Sequence, residues 1–169
     1  MKHLKIYPFQ LFKLAVLSLF FVSCAVQLAP SYDDQLIDGL NQLNEKSNVY
    51  FESMSGDIST KKYEKFEAKY DDLIGKTQAL ITQSSARPVP DNKLVKKINK
   101  TLEKSGKPIW DPNNNLPSTV ALEGILGEYK KLKALHEDGT INGTKFELGK
   151  NAIILYLDQA TVFEYALER

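Results

Sequence analysis

Residues 32–54 read YDDQLIDGLNQLNEKSNVYFESM, and Tyr32, Leu36, Leu40, Leu43, Ser47, Tyr50 and Met54 recur at steps of four, four, three, four, three and four. At 3.6 residues per turn that spacing lines one stripe of a helix and leaves its other faces polar. The stretch TKKYEKFEAKYDDLIGKTQALITQS at residues 60–84 repeats the pattern, with Tyr63, Phe66, Tyr70, Leu73, Thr77 and Leu80 in three-four alternation. A helix with one apolar stripe must cover it, and the short break at Gly56 makes these two segments antiparallel partners.

The same reading extends outward. Ser31 offers an N-cap for the first helix, with Asp33 and Asp34 in its first turn, and Thr60 offers one for the second. Arg87-Pro88-Val89-Pro90 forbids helix, after which Asp91 can cap a short helix from Asn92 to about Ser105 with Leu94, Ile98 and Leu102 on one side. Gly106 to Leu116 reads as loop. Pro117 suits the first turn of a fourth helix that carries Val120, Leu122, Ile125, Leu126, Tyr129, Leu132 and Leu135 and stops near Gly139. Beyond a turn at Asp138 to Gly143, a fifth helix turns Phe146, Ile153, Leu157, Ala160 and either Phe163 or Glu164 inward. No segment alternates with the period of a strand. The expected fold is all-α, an up-down helical bundle of four long helices plus one short helix, forming one domain over residues 31–169.

Five glycines, Gly39, Gly75, Gly124, Gly127 and Gly149, fall inside the long helices, where each costs up to about 1 kcal/mol relative to alanine. Two readings stand beside each other. Either they open room for a ligand or a kink, or they let a neighbouring side chain or backbone approach closely.

Residues 1–23 differ in kind from the rest. Lys2, Lys5 and Lys13 precede the short apolar run LAVLSLFFV at 14–22, which is the architecture of a secretory signal peptide. A bilayer-spanning helix needs about 20 predominantly apolar residues, more than this run supplies. Without residues 1–23 the chain carries 19 basic against 21 acidic groups, formally −2. The segment Phe21-Val22-Ser23-Cys24 resembles a bacterial lipobox, departing from it at Phe21, where the pattern prefers Leu, Val or Ile. That resemblance implies cleavage before Cys24, the only cysteine, and lipidation of its thiol. Two or more acyl chains hold a protein stably on a membrane where one holds it marginally. Residues 24–30 would then be a tether whose Ala25 to Pro30 reaches only about 20–25 Å at full extension. With no second cysteine the fold can have no internal disulfide.

Chemistry is sparse. His3 lies in the leader, and His136 stands alone near a helix end, where a partly positive imidazole is favourably placed. Asp111 to Asn115 imitates the start of a calcium loop, but Leu116 and Leu122 occupy the positions that need Gly and a bidentate Glu. The acidic pairs Asp33–Asp34 and Asp71–Asp72 diverge around their helices, and no nucleophile elbow or phosphate loop is present. The chain therefore reads as a non-enzyme with no catalytic residue, cofactor or metal. Arg87 and Arg169 are its only arginines, which argues against nucleic acid as a partner.

Two features suggest contacts. Lys93, Lys96, Lys97, Lys100 and Lys104 share one side of the short helix and could face anionic headgroups or an acidic partner, or simply keep that side in water. Trp110, the only tryptophan, is either an exposed aromatic anchor for a partner or an interface, or a ring folded back over the end of the bundle.

The stretches Ala29-Pro30-Ser31-Tyr32-Asp33, Gly39-Leu40-Asn41, and Tyr70-Asp71-Asp72-Leu73-Ile74-Gly75 through Ala79-Leu80 to Ala86-Arg87-Pro88 resemble a group of small uncharacterised bacterial envelope lipoproteins. The resemblance covers roughly residues 20–90 and supplies no active site. What it implies is an envelope lipoprotein of unknown role, for which the first expectation is a membrane-anchored, non-catalytic interaction or accessory module with an envelope protein as candidate partner. Ala25 after Cys24, with no Asp there, suits outer-membrane retention facing the periplasm. The competing expectation is a periplasmic-side carrier or sensor of a small ligand held within the bundle. An envelope enzyme is the third.

Overall fold

The computed structural model describes residues 32–88, 92–111 and 115–167, with the side chains of Asn92 and Leu94 excepted. The leader 1–23, Cys24, the tether 24–30, the cap positions Ser31 and Asp91, the inward placement of Leu94 and residues 112–114 of the calcium-loop imitation lie outside the described residues. Helix α1 spans Asp34–Met54, α2 Glu67–Ser85, α3 Asn92–Lys104, α4 Pro117–Glu137 and α5 Gly143–Leu167. Two single 3-10 turns, Ile58–Thr60 and Tyr63–Lys65, join α1 to α2. Among the described residues the chain forms the expected all-α bundle of four long helices and one short one. Neighbours run antiparallel in the order α1, α2, α4, α5, with α5 closing back on α1, and α3 packs on α5.

The helix ends explain where sequence expectation and structure part. Asp33 caps α1: its carboxylate accepts from the backbone N–H of Gln35 and Leu36 at 3.0 and 3.2 Å. Thr60 caps nothing. Asp57 takes the N–H and hydroxyl of Ser59, and Thr60 Oγ1 turns back to donate to the Asp57 carbonyl, so the chain makes 3-10 turns before α2 begins. Gly106 and Gly139 end α3 and α4 with φ of 66° and 65°. In each, the residue after the glycine donates back to the carbonyl five positions earlier, Lys107 to Leu102 and Thr140 to Leu135, which is the Schellman closure that left-handed glycine permits.

The core is continuous with the seam read from the sequence. Leu36, Leu40, Leu43, Tyr50 and Met54 of α1 meet Tyr70, Leu73 and Leu80 of α2, Tyr129 of α4, and Phe146 and Ile153 of α5. Tyr50 is its hub, with ring centroids 5.1 Å from Tyr70, 6.3 Å from Tyr129 and 6.1 Å from Phe146. Val120 departs from expectation. It is exposed, and Ser118, Thr119 and Ala121 are buried instead, because hydroxyls are needed at that end of α4.

Buried tyrosines need partners for their hydroxyls. Ser47 donates to the Leu43 carbonyl and receives Tyr129 Oη at 2.5 Å. Tyr50 donates to Tyr70 at 2.7 Å, which leaves the Tyr70 proton for His136 Nδ1 at 3.2 Å, while His136 Nε2 donates to the Lys61 carbonyl at 2.8 Å. Burial raises all three phenols above their ordinary range, Tyr70 to about 12 even though the hydrogen bond from Tyr50 pulls it down. A phenol whose folded pKa is raised stabilises the fold fully below its unfolded value near 10 and loses that contribution as pH climbs through the folded value. Stability should therefore fall between pH 10 and about 12. Absorbance at 295 nm should show three of the eight tyrosines ionising only as the helical circular dichroism is lost. Smooth titration of every tyrosine in a still-folded chain would contradict these placements.

Helix-interior glycines divide into two kinds. A Cβ on Gly39 would collide with Leu80, and one on Gly149 would lie 2.9 Å from Leu132, itself buried. Gly124 faces Tyr156 at 2.8 Å, whereas Gly75 and Gly127 have nothing within 4 Å. Close approach is the reason for three of the five. Gly75→Ala and Gly127→Ala should each raise stability by about 0.5–1 kcal/mol, whereas Gly149→Ala should lower it by roughly 1–3 kcal/mol through overpacking. Urea midpoints test the contrast, and shifts of one sign at all three positions would refute it.

Candidate functional site

The most constrained polar cluster sits at the end of the bundle where α1 and α4 begin and α2 and α5 finish. Glu164 of α5 is wholly buried, and Arg87, just past α2, is held over it by two bonds, Nη1 to Oε2 at 2.6 Å and Nη2 to Oε1 at 2.5 Å. Paired planar groups of this kind fix geometry as well as charge. Arg87 Nη2 also donates to Ser118 at 3.0 Å, and Ser84 bonds Thr119 at 2.6 Å and Ser118 at 3.0 Å. Gln83 donates to the capping carboxylate of Asp33 at 2.9 Å, fastening the entry of α1 to the same end.

Helix α3 covers part of this end. Val95, Ile98 and Leu102 bury against Phe163, Ala166 and Leu167, the last two turns of α5, in a small core of their own with Leu116 and Trp110. Trp110 is 6% exposed, so it takes the folded-back placement and not that of an exposed partner anchor. Its ring stands edge-on to Phe163 at 5.6 Å and its indole N–H donates to the Asn115 carbonyl at 3.1 Å. Asn99 grips its backbone from both sides, accepting from Trp110 N at 2.8 Å and donating to Trp110 O at 2.9 Å. Lys107 reaches Asp158 of α5.

Lys93, Lys96, Lys97, Lys100 and Lys104 all emerge exposed, opposite the buried side of α3. None of the five pairs with a carboxylate among the described residues. The structure thus brings the five lysines together on one face and seats Trp110 beneath the helix that carries them.

His136 lies at the opposite end, in the last turn of α4, the helix-end position expected from the sequence. It is buried between Tyr63, Phe66 and Tyr70 with both nitrogens engaged. Among the described residues no group of three or more His, Cys, Asp or Glu side chains could hold a metal, and no helix is long and apolar enough to cross a membrane. A groove of about 250 Å³ runs between α1 and α2 near Lys46 and Asp72, which are paired at 2.5 Å. Others of about 270 and 500 Å³ lie between α1 and α5 and beside His136. All three open at the surface, and no helix-interior glycine lines any of them.

The Arg87–Glu164 clamp and the His136 network were not read from the sequence. The available signals were a glutamate standing in an apolar seam and an arginine in a chain that has only two. No family, curated protein or solved structure matches this chain.

Proposed function

We propose that the chain is a lipid-anchored bacterial envelope protein, held at a membrane through Cys24 and acting as a non-catalytic interaction or accessory module. The observation that carries the reading is Cys24 itself, the only cysteine, placed directly after a basic n-region and an apolar run in the sequence FVSC. The Asp33 cap, bound by Gln83, brings the chain into the bundle at the end that carries α3. Outer-membrane retention facing the periplasm is the address that Ala25 favours. A carrier role finds less support, because three helix-interior glycines are filled by Leu80, Tyr156 and Leu132.

Crosslinking in intact cells separates the two roles. An accessory module should give one reproducible larger species with wild-type protein that disappears when Cys24→Ala releases the chain from the membrane. A small molecule recovered in stoichiometric amount from the purified bundle, with no crosslinked protein, would instead establish the carrier.

A further inference from the structure

Five lysines of α3 fall within an arc of about 100°, since 3.6 residues per turn advances each position by about 100°. Val95, Ile98 and Leu102 occupy the opposite side. Glu103 is the only acidic residue of the helix, so Asn92–Lys104 carries formally +4. The chain from Cys24 onward is −2, leaving −6 on everything else. This short helix thus carries a net positive charge that the rest of the chain from Cys24 onward, taken together, does not.

The position of that helix gives the charge a direction. Cys24 stands nine residues before Asp33, a span of at most about 30 Å. Asp33 is tied to Gln83, four residues before Arg87, and Arg87 grips Glu164 in the turn of α5 on which α3 packs. Asp33, where the tether enters the bundle, and the lysine face therefore belong to one end of it, within the reach of the tether. Asp34 and Asp38 are exposed on the first turns of α1 nearby, but the five lysines outnumber them. Val95, Ile98 and Leu102, buried against Trp110 and the end of α5, hold α3 in place, so its five lysines leave the backbone on one outward face.

We infer that the lysine face of α3 docks onto the anionic headgroups of the bilayer that holds Cys24, setting the bundle end-on to the membrane. The inference rests on the anchor reading and adds to it a second contact. Acyl chains fix the point of attachment, and the lysines fix the orientation. Such a contact is electrostatic and fades as salt shortens the screening length from about 10 Å at 0.1 M to about 3 Å at 1 M.

The test uses the full lipidated protein reconstituted into vesicles of phosphatidylcholine alone or mixed with phosphatidylglycerol, with lysine acetylation read by peptide mass spectrometry. Lys93, Lys96, Lys97, Lys100 and Lys104 should label roughly threefold or more slowly on the anionic vesicles at about 0.1 M salt and regain their rate at about 1 M. Lys62, at the far end, should label equally on both. Equal labelling of the five lysines on the two vesicles overturns the inference. So does shielding found only in native envelopes and never in protein-free anionic vesicles, which would assign the face to an acidic protein. Flotation on the uncharged vesicles reports the anchor separately. A chain that fails to float there, yet is shielded on anionic vesicles, would refute lipidation and keep the basic face. A variant with all five lysines changed to Gln should still float on both.

Discussion

Glu164→Ala should lower the thermal midpoint by roughly 6–20 °C, the largest loss expected from any single polar substitution in the described bundle. Removing one partner of a buried ion pair costs about 3–5 kcal/mol because the other charge is left without compensation. For a domain near this size each kcal/mol moves the midpoint by about 2–4 °C. The magnitude follows from burial. Glu164 is 0% and Arg87 8% exposed, so water cannot replace either partner. Arg87→Ala should fall in the same range, with the added loss of its bond to Ser118. The double variant Arg87→Met with Glu164→Leu should recover much of the loss, since a well-packed apolar pair often matches or exceeds a buried ionic one. A thermal series followed by circular dichroism closes the double-mutant cycle. A Glu164→Ala shift below about 2 °C would mean that the pair is solvated.

Trp110→Ala should act locally. A large buried aromatic lost to alanine costs about 3–5 kcal/mol, and here nearly all of that contact is with the small core under α3. Its backbone grip by Asn99 would lose its fixed position as well. Amide hydrogen exchange in α3 should accelerate about 100-fold or more, while the amides around Tyr50 and Tyr129 keep their protection. Uniform acceleration through α1, α2 and α4 would show that the two cores are one cooperative unit. As the only tryptophan, Trp110 also makes wild-type fluorescence a direct report on this end of the bundle.

The long helices were legible because their information is local. From Leu36 to Met54 and from Phe66 to Leu80, every position assigned to the seam is buried, Ser47 and Thr77 included. Those two polar residues fit because each hydroxyl bonds the carbonyl four positions earlier. What the spacing could not show is which distant groups meet. Phe163 and Glu164 were equivalent candidates for the inner face of α5, and both are buried. Phe163 faces Trp110, and Glu164 faces an arginine 77 positions earlier in the chain. Neither local periodicity nor propensity encodes that pairing. Thr60 failed as a cap for a nearer reason, the competing turn set by Asp57. The helix-end position of His136 was legible, but its burial was not, because its partners Lys61 and Tyr70 are supplied by another helix and its approach. At the candidate site the lysine stripe was readable, while the clamp that orders the bundle end beneath it was not.

Lipidation of Cys24 is the claim on which the functional account depends, and intact mass of the membrane-fraction protein tests it most directly. The account predicts a wild-type mass equal to residues 24–169 plus a diacylglyceryl group, with or without a third acyl chain, and no such species from Cys24→Ala. A wild-type chain that retains residues 1–23, or that begins at Cys24 with a free thiol, would contradict it.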